Sequence, residues 1–206
     1  MDDDVKRRPY ASPTRRARSE ATRARILDAA AGLFVAGGYA GTSTRTIAAA
    51  AGASEASVFA NFGSKSRLLA AVIVDRVTSD GDFPLSRNHA LTGTPSRGEA
   101  VAVLAGIARR GHEPSWRLLA AGAAAAADDP ELAAAMRHGA ERRLADIAWF
   151  VRSILGIEDD ADRIAEGIWA VGAVEGYRHL VVDQGWPVDE YESWLARMIL
   201  ATADAR

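Results

Sequence analysis

The stretch from Thr42 to Leu69, TSTRTIAAAAGASEASVFANFGSKSRLL, constrains the fold more than any other part of this 206-residue chain. Thr46-Ile47-Ala48-Ala49-Ala50-Ala51 is a compact run of helix formers, with Ser43 or Thr44 placed to cap its first turn. Gly52 takes a left-handed conformation without steric cost and so stops that helix, and Ser54 has the oxygen to cap the next one. The second helix runs from Glu55 to Ala60 and ends over Asn61-Phe62-Gly63; Ser64 then caps a third that carries Lys65, Leu68 and Leu69. Two short helices joined by a glycine-containing turn form a helix-turn-helix, whose second member fits a DNA major groove. Helices this short bury too little surface alone. The preceding segment supplies cover: Ser19 caps a helix through Ala36 with Ile26, Leu27, Ala30, Leu33 and Phe34 on one stripe, and Gly37-Gly38 ends it.

At these residues the chain resembles the TetR family of transcriptional regulators. Ile47, Ala48, Ala51, Gly52, Ser54, Val58, Phe62, Lys65 and Leu68 stand at that family's spacings, and the likeness spans roughly Ser19 to Leu69. Phe59 stands where the family usually has Tyr, and Asn61 where it usually has Tyr or His. The family's tyrosine hydroxyl commonly reaches a phosphate, so the resemblance implies that Phe59 keeps the apolar packing and loses that bond.

In the reading helix Glu55, Ala56, Ser57, Ala60 and Asn61 are the candidates to face DNA, while Val58 and Phe62 point to the core. Ser57 can bond a base edge or a phosphate, and Asn61 can pair with adenine, reach a phosphate or cap the helix. Glu55 either accepts from a cytosine amino group or is simply an acid favoured at a helix N-terminus. Thr42, Thr44, Arg45 and Lys65 are placed for phosphates.

The formal net charge of −2 hides an asymmetry: residues 1–76 carry a balance of +5 and the remainder −7. A basic segment joined to an acidic one suits a chain of which only one part meets phosphate. Residues 1–18 read as a basic, mobile arm in which Lys6, Arg7, Arg8, Arg15, Arg16 and Arg18 attract phosphates in general. With no cysteine, neither a disulfide framework nor a thiolate metal site is possible. No run is long and apolar enough to span a bilayer, and the expected location is the cytoplasm.

Beyond Leu69 the pattern stays helical, with an interdomain link over Pro84 to Gly98. Helical pieces follow at Glu99–Arg110, Ser115–Ala127, Glu131–Leu155, Asp162–Gln184 and Val188–Ala203, with a break at Gly111-His112-Glu113-Pro114. The fold class is therefore all-α: an N-terminal three-helix helix-turn-helix domain plus a C-terminal helical bundle for ligand binding and dimerisation. The expected division is an arm (1–18), a DNA-binding domain (19–63), a connecting helix (64–79) and a ligand-binding and dimerisation domain (80–206). The last two helices each carry more than one apolar face, so they either form a dimer interface or complete the monomer core.

Trp116, Met136, His138, Trp149, Phe150, Trp169, Glu175, Tyr177 and His179 are the candidate lining of an effector cavity. Aromatic residues at helical spacing also serve as plain core. Glu175 on an apolar stripe is the sharpest hint, since an unpaired buried carboxylate is costly: it either serves a cationic or hydroxylated ligand or pairs with Arg178 or a partner-chain group. Glu175, His179 and Asp183 share a helix side, but neither this nor any Gly-rich loop or nucleophile motif demands a metal, a cofactor or an enzyme. The expectation is a homodimeric regulator, typically a repressor in that family, released from a palindromic double-stranded DNA operator by a small hydrophobic or aromatic effector. The alternative is a ligand-binding or catalytic bundle with a vestigial helix-turn-helix.

Overall fold

The computed structural model describes residues 13–78, 82–93 and 95–205; Lys6, Arg7 and Arg8 lie outside them. All regular structure among the described residues is helical: α1 (Pro13–Gly41), α2 (Thr44–Ala50), α3 (Glu55–Phe62), α4 (Lys65–Thr78), α5 (His89–Thr92), α6 (Arg97–Ala126), α7 (Pro130–Ser153), α8 (Ala161–Val171), α9 (Val174–Tyr177) and α10 (Val188–Asp204). No described helix is long and apolar enough to cross a membrane.

The caps read from the sequence set the first four helices. Ser43 accepts from the Thr46 amide and Ser54 from the Ser57 amide, each satisfying a donor that the helix itself leaves unpaired. Gly52 (φ 60°) and Gly63 (φ 80°) hold the left-handed turns that let α3 leave α2 and α4 leave α3. Ile26, Ala30 and Phe34 of α1 are fully buried against Ile47, Val58, Leu68, Leu69 and Val72. That core does not close within α1–α4: Leu118 of α6 and Leu132 of α7 complete it.

Several expectations change in the tertiary structure. Helix α1 begins at Pro13, so the last residues of the expected arm are helical; at Gly38 the backbone leaves helical geometry (φ 66°, ψ 177°), as the Gly37-Gly38 stop predicts, and only a short piece to Gly41 follows the kink. The break expected at 111–114 is absent, and α6 is one 30-residue helix with Pro114 inside it. Proline removes one backbone bond at a cost of about 3 kcal/mol. The buried stripe Leu104, Ile107, Gly111, Ser115, Leu118 and Gly122 runs unbroken across the site, so packing on both sides outweighs that cost. The Ser115 hydroxyl also donates to the Gly111 carbonyl.

Conversely, the single helix expected over 162–184 is divided. Gly172 closes α8, Ala173 is extended (φ −66°, ψ 147°), and α9 passes into a π-helical segment, Arg178–Asp183. The expected link over 84–98 holds a 3-10 turn (Leu85–Arg87) and α5, anchored by the fully buried Leu85 and Leu91.

The start of α7 is clamped onto the helix-turn-helix unit. Asp129 caps α7 by accepting from the Leu132 amide at 2.9 Å, and its other oxygen accepts from Tyr39 Oη and Ser66 Oγ, both at 2.6 Å. Glu131 accepts from Ser64 Oγ at 2.6 Å and pairs with Arg67 at 2.7 Å. The Ser66, Tyr39 and Leu132 hydrogen bonds hold the Asp129 carboxyl down at about 2, against an ordinary 3.8. A depressed carboxylate stabilises the fold fully above its ordinary value and loses that contribution as pH falls toward the folded value. Asp129→Asn keeps a capping oxygen but removes the charge that Tyr39 and Ser66 donate to, and is therefore expected to cost about 1–2 kcal/mol at neutral pH. Thermal melts of the two proteins should converge as pH falls from about 4 toward 2.

Candidate functional site

Two regions concentrate the sequence-derived candidates. The first is the outer face of α3. Ala56, Phe59 and Ala60 are exposed there, and Glu55, Ser57 and Asn61 are half-buried. Val58 and Phe62 turn inward and are buried. Phe59 is 48% exposed, so it lies on the outer face rather than in the packing position that the resemblance implies. Asn61 Nδ2 donates to the Ser57 carbonyl at 2.8 Å, an i−4 contact that uses one of its two N–H donors and leaves the other, with Oδ1, available.

The polar groups around α3 divide into outward and inward sets. Thr44 donates to Glu55 at 2.5 Å, and Arg45 stands 3.9 Å from the same carboxylate with its side chain 88% exposed. Glu55 thus links the starts of α2 and α3. Thr42 is buried and its hydroxyl donates to the Gly38 and Leu33 carbonyls at 2.8 and 3.1 Å. Lys65 Nζ donates to the carbonyls of Tyr39 (3.0 Å) and Thr42 (3.2 Å) and lies 4.1 Å from the Tyr39 ring centre. The side chains of Thr42 and Lys65 are therefore committed to the end of α1 and to the loop that launches α2.

The second region is a cavity of about 340 Å3 enclosed by α4, α6, α7, α8, α10 and the Gly172–Glu175 break. An adjoining hollow of about 240 Å3 shares Val77, Phe83, Leu119, Met136, Arg143 and Trp169 with it and follows α4 along Ala70, Ile73, Val74 and Thr78. Most of the lining is aliphatic or aromatic. Of the predicted residues, Met136, Trp169 and Glu175 line the cavity.

The others lie elsewhere. Phe150 is fully buried core, and Trp149 and Trp116 pack against that core, Trp116 beneath Arg117 at 4.4 Å. Tyr177 is buried behind the cavity wall, edge-on to Tyr191 at 5.3 Å and 6.0 Å from the His112 ring. His138 and His179 are surface residues facing Glu141 and Asp183. Glu175 is exposed at the rim instead of buried, because the break at Ala173 turns it off the apolar stripe; Arg178 pairs with Asp183 at 3.0 Å.

His112 and Arg143 are the polar lining residues that the sequence did not disclose. His112 lies in a segment that reads as a break, and Arg143 in a charged run, Glu141-Arg142-Arg143, that reads as a solvated face. Burial, reinforced by the Arg143 charge, pushes the His112 imidazole down to about 4, so it is neutral at pH 7, and its Nδ1 is buried without a hydrogen-bond partner. Burial also draws the Arg143 guanidinium down to about 10, which leaves it charged, and it lies 3.8 Å from the Phe83 ring centre.

A helix-turn-helix on a shared core, carried by a helix that also walls a bundle cavity, is an all-α architecture that presents a short helix, α3, on an outer face suited to a DNA major groove. Residues 26–72 match the family described as bacterial regulatory proteins, tetR family. Similar solved structures include a TetR-family transcriptional regulator from Mesorhizobium loti, with 23% identity, 91% of this chain and 97% of that one covered, and a TM-score of 0.69. A transcriptional regulator from Pseudomonas aeruginosa PAO1 is similar at 15% identity, with 95% and 94% covered and a TM-score of 0.71. Another from Saccharomonospora viridis, solved in complex with choline, is similar at 21% identity, with 87% and 96% covered and a TM-score of 0.65. No curated protein matches the chain. Residues 26–72 thus match the DNA-binding domain of the tetR family, and the chain as a whole shares the fold of these structures.

The commitment of Lys65 has a measurable consequence. Lys65→Met leaves the Tyr39 and Thr42 carbonyls without their charged donor and is expected to destabilise the fold by about 1–2 kcal/mol. Urea unfolding measures this directly; an unchanged midpoint would show Lys65 to be structurally idle.

Proposed function

We propose that the chain is a homodimeric repressor that leaves a pseudo-palindromic operator when a small apolar effector fills the bundle cavity. The carrying observation is that α4 belongs to both parts. It starts at Lys65, directly after the reading helix, and its last turn, Val77 and Thr78, walls the cavity and its adjoining hollow. A ligand that prefers one disposition of α4 shifts the population toward it, and DNA must weaken ligand binding by the same factor. The choline bound in the S. viridis protein supports a small-molecule role for a bundle of this shape.

In this reading residues 19–63 bind DNA, 64–79 connect, and 80–206 bind effector and dimerise. Ala56, Ser57, Ala60 and Asn61 approach base edges, where small side chains permit close contact. Thr44, Arg45 and Phe59 meet the backbone, Phe59 by apolar contact. Thr42 and Lys65 act indirectly, by holding α2 and the turn after α3 in place. Glu55 orients Thr44 and Arg45.

The dimer forms through α8, the π-helical segment and α10. Trp169 and Val182 are 38% and 42% exposed, and Trp194 and Met198 are half-buried along α10, a surface that a second copy would cover. Two reading helices then address successive major grooves about 34–36 Å apart. The cavity is a binding site rather than a catalytic one, and the protein acts in the cytoplasm.

Selection from randomised duplexes at near-physiological salt tests this. The wild-type protein is expected to enrich an inverted repeat, and Ala60→Asp, which sets a negative charge on the exposed face of α3, to lose it with an unchanged melting temperature. Failure of the wild type to enrich any motif would overturn the operator-binding reading and favour a bundle whose helix-turn-helix is unused.

A further inference from the structure

We infer that the effector is an apolar monocarboxylate, its head group set between the Arg143 guanidinium and the His112 imidazole. The inference rests on the effector reading above and specifies the ligand class.

Arg143 is a cation facing a largely hydrocarbon cavity, and no hydrogen bond or ion pair joins it to a protein group among the described residues. The guanidinium carbon lies 3.8 Å from the centre of the Phe83 ring, a contact that holds the charge in place without using its N–H donors. A buried, unpaired charge is costly, and a planar carboxylate offers that fork two parallel acceptors. His112 is the second, independent observation. Its ring faces the same cavity and its Nδ1 is buried with no partner. The neutral ring carries one N–H, so His112 offers a single neutral donor, which suits a carboxylate oxygen.

One full positive charge and one neutral donor match a monoanion. A phosphate dianion would stay undercompensated, and a cation would meet Arg143 directly. Two carboxylates lie in the neighbourhood. Asp146 influences Arg143 electrostatically without closing an ion pair, and burial raises its own carboxyl. Glu175 stands at the exposed rim, where solvent and salt screen it, whereas Arg143 is half-buried in the cavity wall. The less screened charge therefore decides the sign of the ligand. The volume, about 340 Å3, lies near the lower end of ligand pockets (about 300–1,000 Å3), which fits a medium-chain or aryl acid.

Isothermal titration of the full chain with octanoate, octanamide and octyltrimethylammonium tests the proposal without depending on any variant. Octanoate is expected to bind at least about tenfold more tightly than the amide, the difference a charge-assisted pair makes. Arg143→Gln should abolish that preference while leaving amide binding within about twofold, and Arg143→Lys should restore part of it. Equal binding of the amide or the ammonium by the wild type, or an undiminished preference in Arg143→Gln, overturns the carboxylate assignment and leaves the effector reading standing. No binding by any of the three, with operator affinity unmoved by all of them, overturns both.

Discussion

The reading helix has no stability of its own. Helices of seven and eight residues, α2 and α3, cannot persist in water without a surface to lie on, and α1 and α4 supply most of it. The remainder comes from Leu118 and Leu132, which belong to the bundle. The Asp129 node adds directional contacts, tying α1 and α4 to the first turn of α7 through Tyr39 and Ser66. The attitude of the reading face is thus a property of the whole chain, which a change in the bundle can alter by small shifts between packed helices.

Cavity and core share the same long helices. Along α6 the side chains toward α4 and α7, such as Leu118, are sealed in the reading-unit core, while Leu104, Ile107 and His112 face the cavity. Gly122 marks the tight point between the two regions: a Cβ there would meet Ile73 Cδ1 at 2.9 Å and Met136 Sδ at 3.1 Å. Met136 lies at that point and also lines the cavity, so a displacement of its side chain is felt directly at the α4–α6 contact. A flexible thioether accommodates such displacement better than a branched side chain does.

The irregular backbone is concentrated where the cavity opens. The end of α8 at Gly172, extended Ala173 and the π-helical segment interrupt what would be one long helix, and Gly172 through Glu175 line the opening. A Cβ on Gly172 would approach the Ile168 carbonyl to 3.1 Å, so a larger residue would disturb this turn. π-helical turns frequently accompany functional sites because they re-aim side chains that a regular helix would place elsewhere. Here the break puts Glu175 at the rim instead of in the core.

The reading unit was legible in the sequence because its signals are local. Caps at Ser43 and Ser54, glycine turns at 52 and 63, and the apolar stripe of α1 each act within a few residues, and each recurs in the structure. The all-α bundle followed from composition and periodicity in the same way. What only tertiary structure decided depends on distant neighbours. Pro114 sits inside a helix because burial on both sides holds α6 together, and Lys65 spends its charge on carbonyls 26 and 23 residues earlier. His112 and Arg143 become the polar pair of a cavity because helices from two parts of the chain bring them together. Their residue types and spacing carry no trace of it, since desolvation and the absence of a partner exist only in the packed molecule.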